Sequence, residues 1–74
     1  MNDYGVILFF TTSSVMKAEK TLLKQGLEVK LIPVPRELSS DCGIALRFNW
    51  DDKQGVTSLL DAAKVEIDSI HRLP

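Results

Sequence analysis

The sequence predicts an α+β domain of ferredoxin-like β-α-β-β-α-β topology, a four-stranded antiparallel sheet with two helices on one face. Three observations carry that prediction. Apolar periods of strand and helix type alternate in that order, glycines and prolines fall at the joints, and 74 residues leave room for one core. The expectation is therefore a single domain over residues 1–74.

Residues 4–10 are rich in β-branched and aromatic side chains without polar alternation, as expected of a strand covered on both faces or sitting centrally in a sheet. Thr11, Thr12, Ser13 and Ser14 then offer N-cap hydroxyls to a helix whose stripe is Val15, Ala18 and Leu22. Met16 and Leu23 flank that stripe, and Lys17, Lys20 and Lys24 lie largely away from it. Gly26 supplies the left-handed stop. Leu27, Val29 and Leu31 alternate with Glu28 and Lys30, which predicts an edge strand with one wet face.

Pro33 and Pro35 each remove a backbone donor, so residues 33–43 read as a connection. The next strand places Ile44, Leu46 and Phe48 inward, with Ala45 and Arg47 outward. Asn49, Asp51 and Asp52 are candidate caps for a second helix built on Val56, Leu59, Leu60 and Ala63. Residues 65–73 read as a last strand, with Ile67 and Ile70 breaking the alternation and implying a bulge or a late register change. In this topology strands one and three are central, and part of the apolar first strand is left on the uncovered sheet face. A homodimer is one way of covering it.

Composition excludes several functions. Nine basic against ten acidic residues give no electrostatic footprint for a nucleic-acid backbone. The apolar run of residues 6–10 is far shorter than a membrane span, and the opening residues lack a signal-peptide pattern. A lone cysteine forms no internal disulfide, which fits a reducing, cytoplasmic setting. One histidine, one cysteine and scattered carboxylates give no metal-ligand spacing, and the glycines form no phosphate-binding motif, so neither metal nor cofactor is expected.

Chemistry concentrates in residues 33–43, where proline, arginine, serine and thiol groups share a connection longer than a hairpin needs. Cys42 is the candidate reactive group, because a thiolate is a nucleophile and needs no cofactor. Arg36 would stabilise the anion, Ser39 and Ser40 would hydrogen-bond it, and Gly43 would let a substrate approach the sulfur. Asp41 would oppose it. The competing expectation is a buried cysteine that fills space at the start of strand three. Topological reasoning adds two expectations: both helices begin at the far end of the sheet from this loop, and the last strand brings His71 and Arg72 toward it.

The run Pro33-Val-Pro-Arg-Glu-Leu-Ser-Ser-Asp-Cys-Gly-Ile-Ala-Leu-Arg-Phe48 resembles the signature of the selenium/sulfur carrier-like family of small bacterial domains. The likeness extends to the opening strand, the Lys17-Ala18-Glu19-Lys20 helix and the closing Ile70-His71-Arg72. It implies a sulfur or selenium carrier holding persulfide or selenosulfide on Cys42 and handing it to an acceptor protein. Arg36, Ser39, Ser40 and Gly43 match the positions around the family's cysteine, and His71 stands where the family commonly has tyrosine. Such a protein is a carrier rather than a stand-alone enzyme, with protein donors and acceptors as partners. The alternative is a small regulatory or ligand- or partner-binding module in which the cysteine is incidental.

Overall fold

The computed structural model describes residues 3–38 and 42–74. The elements follow the predicted order: β1 (Tyr4–Leu8), α1 (Thr12–Lys24), β2 (Val29–Pro33), β3 (Ile44–Asn49), a 3-10 turn (Trp50–Asp52), α2 (Lys53–Ala62) and β4 (Ser69–Arg72). The sheet order is β2-β3-β1-β4, every neighbouring pair antiparallel, with β1 and β3 central as expected. This is the ferredoxin-like α+β fold.

The helix signals act much as their chemistry suggests. Thr11 is extended and caps α1 by accepting the Ser14 amide at 3.1 Å. At the other end Gly26, at φ +80, lets the Gly26 and Leu27 amides bond back to the Leu23 and Leu22 carbonyls, a Schellman ending. α2 ends the same way without glycine. Lys64 takes φ 59, and the Lys64 and Val65 amides reach the Asp61 and Leu60 carbonyls. Its start differs from expectation, because neither Asn49 nor Asp52 makes a side-chain cap and a 3-10 turn leads into the helix instead.

Strand ends shift for physical reasons. β1 stops at Leu8, although Phe9 remains fully buried in the helix-side core. β2 begins later and runs on through Pro33, which pairs with Ile44; an edge strand tolerates the missing donor. The broken alternation in residues 65–73 is not a bulge. Val65 and Ile67 belong to a connection packed against the core, and the strand proper is Ser69–Arg72.

Both faces of the sheet bury apolar residues, while Lys30 on the face away from the helices is exposed. Toward the helices, Ile7, Phe9, Leu46 and Phe48 pack with Val15, Ala18, Leu22, Val56 and Leu60. On the opposite face, Val6, Leu8 and Ala45 are buried beneath Ile32, Val34, Leu38 and Leu73. The expectation of an uncovered apolar face awaiting a second copy is thus corrected. The β2–β3 connection folds back over the sheet, and the chain covers these residues itself.

Candidate functional site

The β2–β3 connection leaves β2 after Pro33, is tied to the start of β3 by the Val34 amide on the Gly43 carbonyl at 3.3 Å, and turns at Arg36 and Glu37. The Leu38 amide closes that turn on the Pro35 carbonyl at 2.9 Å. Val34 and Leu38 point at the sheet, while Arg36 and Glu37 are exposed. An apolar anchor every four residues holds this segment down. Ser39, Ser40 and Asp41 lie outside the described residues.

Cys42 follows, two positions before β3, and its side chain turns to the helix side of the sheet. It is 3% exposed and belongs to the core cluster with Phe9, Val15 and Leu46. The Sγ lies 3.8 Å from Thr12 Oγ1, and either group can donate. Thr12 is the first residue of α1, so the sulfur sits at the positive end of that helix. The topological expectation that neither helix begins near the loop is therefore corrected. β1 and β3 are antiparallel, so the end of β1, from which α1 springs, lies beside the start of β3.

The same register corrects the placement of Arg72. β4 runs antiparallel to β1, with Ser69 opposite Leu8 and Arg72 opposite Gly5, so the strand leads away from the Cys42 end. Arg72 instead donates to Asp3 at 2.6 Å and lies 5.7 Å from the centre of the Trp50 ring. His71 is held in mid-strand, its Nε2 2.9 Å from the Ser69 hydroxyl. The folded-back loop does come near both residues, on the face of the sheet opposite the thiol. Pro35, Glu37 and Leu38 line a cavity of about 320 Å³ with His71, Arg72 and Leu73.

Of the residues expected to act together, Cys42 and Gly43 are therefore adjacent, Arg36 is exposed in the same connection, and Arg72 serves another part of the surface. Gly43 is exposed, and a Cβ there would meet nothing within 4 Å, which leaves open space beside the residue that bears the thiol. Sequence reading missed Thr12. The signal was present, since antiparallel pairing of strands one and three places the first helix residue next to the start of strand three. No group of three or more metal-ligating side chains occurs among the described residues. Among them too, no helix is long and apolar enough to cross a membrane.

The fold and the site together define a small ferredoxin-like domain with one cysteine set against the first turn of its first helix. A family model described as "Putative Se/S carrier protein-like" matches residues 4–72. The chain belongs to that family. No curated protein and no solved structure matches it.

Proposed function

We propose that this protein carries sulfur or selenium on Cys42, accepting it from a donor protein and passing it to an acceptor, without being a stand-alone catalyst. The observation that supports this most is the position of Cys42 at the first turn of α1, in a chain of the carrier-like family. The Cys42 thiolate attacks the outer sulfur of a donor persulfide; the donor S–S bond breaks, the donor leaves as a thiolate, and Cys42 holds the persulfide. Delivery is the reverse exchange. An acceptor thiolate takes the outer sulfur and returns Cys42 as thiolate, so no external oxidant or reductant enters. Selenium transfer follows the same course through a selenosulfide.

A negative charge on the transferred sulfur faces the α1 N-terminus, where helix dipole and free amides favour anions. The Thr12 hydroxyl, 3.8 Å from Cys42 Sγ, can donate to that sulfur when it is a thiolate. Because Cys42 is 3% exposed, loading requires the connection or the start of α1 to move aside. Small loop openings of that kind cost less than global unfolding.

The test is incubation with a cysteine desulfurase and free cysteine, read by intact mass beside Cys42→Ala. The expected result is a gain of one sulfur that a reducing thiol removes and the variant never shows. A second reading, a ligand-binding or regulatory module with an incidental cysteine, is favoured by the burial of the thiol and by the cavity beside His71. A Cys42 that neither gains sulfur nor reacts with an alkylating agent in the native protein would decide for it.

A further inference from the structure

We propose that the outer face of α1 is a docking surface for an acidic amphipathic helix of a partner protein. Two features of the helix meet there. Met16 and Leu23 are 48% and 51% exposed, although each is large and apolar. At helical spacing they share one stripe with Thr12, set roughly 100° around the helix from the buried Val15, Ala18 and Leu22. The stripe from Thr12 to Leu23 is about 16 Å long at the rise of an α-helix. Phe10, two residues before the helix, is likewise large, apolar and 44% exposed.

Beside the stripe runs a basic row. Lys17, Lys20 and Lys24 are all exposed, spaced three and four residues apart, and none is in a salt bridge among the described residues. Like charges at that spacing weaken a helix, so the row works against the stability of α1. The helix carries these three lysines against a single glutamate, Glu19, which is partly buried, in a chain whose net charge is -1. The basic character is therefore local to this face.

An apolar row flanked by a basic row is complemented by an apolar row flanked by an acidic one. Facing helices in coiled coils select partners by that arrangement, apolar positions meeting at the seam and charges pairing at its edge. A second copy laid antiparallel on this face is disfavoured, because it would set lysine rows together. A helix docked along the stripe would end at Thr12, the residue in contact with the Cys42 sulfur. The proposal stands whether or not Cys42 carries sulfur.

The experiment is an NMR titration of the intact protein with two synthetic amphipathic helices that share a leucine stripe, one flanked by glutamate and the other by lysine. Saturable shifts at amides of residues 12–24 with the glutamate peptide only, weakened by added salt, are expected. Lys20→Glu with Leu23→Ser, both at exposed positions, should weaken that binding at least about tenfold while leaving the amide spectrum of the sheet unchanged. Cys42→Ala should bind as wild type, which separates this result from the fate of the carrier reading. The proposal is overturned if the glutamate peptide gives no saturable shifts, if the lysine peptide binds equally, or if the shifts map elsewhere. Concentration-dependent shifts of α1 without peptide would overturn it too, by assigning the face to self-association.

Discussion

Both faces of the sheet bury apolar side chains, but different parts of the chain cover them, and on the second face Lys30 stays exposed. Two regular helices cover one face with Val15, Ala18, Leu22, Val56 and Leu60. The other is covered by Ile32 on the edge strand, Val34 and Leu38 of the β2–β3 connection, and Leu73 beyond β4. Helices held by many buried apolar contacts open only at high cost, whereas an irregular segment held by a few anchors opens at lower cost. The contrast bears on function because the connection that covers the second face is the one that leads to Cys42. Its length has a structural use as well as a chemical one.

The sharpest way to break the comparison is to remove one anchor from each side. Phe9→Ala empties the centre of the helix-side core and should cost about 3–5 kcal/mol, much of the stability of a domain this small. Leu38 is only partly buried, so Leu38→Ala should cost about 1–2 kcal/mol. Urea titration monitored by Trp50 fluorescence measures both. The two variants should also differ in kind. If opening of the connection exposes the thiol, Leu38→Ala should speed native-state alkylation of Cys42 about five- to thirtyfold, by the factor that 1–2 kcal/mol represents. An unchanged rate would place the opening motion at the start of α1 instead.

The glycines sharpen the same contrast at a smaller scale. A Cβ on Gly5 would lie 2.6 Å from both Phe48 and Trp50, whose rings lie tilted against each other with centroids 6.0 Å apart. Gly5→Ala should therefore cost about 1–3 kcal/mol through overpacking. A Cβ on Gly43 would meet nothing within 4 Å, and the residue has no positive φ, so Gly43→Ala should change the urea midpoint little. If it nevertheless slows sulfur loading of Cys42, the open space beside the thiol is an approach path rather than a gap in packing.

The sequence showed the order of elements, the central strands and most of the helix-side core, because those follow from local periods and from caps such as Thr11 and Gly26. It did not show where the connection goes. Val34 and Leu38 are four residues apart in a segment with no period, and their burial depends on a sheet face assembled from three other strands. The site was legible in the same proportion. Cys42 stood out as the single thiol, while its neighbour Thr12 is thirty residues away and is brought to it only by the antiparallel pairing of β1 and β3. Reasoning about strand direction went wrong at that point, which misplaced both the helix start and Arg72.

Arg72 provides the smallest and most discriminating prediction. It was expected beside the thiol, but it pairs with Asp3, both side chains being 56% exposed, at the end of the sheet away from Cys42. An exposed ion pair of this kind is screened by solvent and salt and contributes at most about 1 kcal/mol. Arg72→Ala should lower the urea midpoint slightly, with the difference shrinking as salt is added. Sulfur loading of Cys42 should be unaffected. A loss of loading with the fold intact would mean that the cavity of Pro35, Glu37, His71 and Arg72 communicates with the thiol through the connection. In that case occupancy of one face of the sheet would control chemistry at the other.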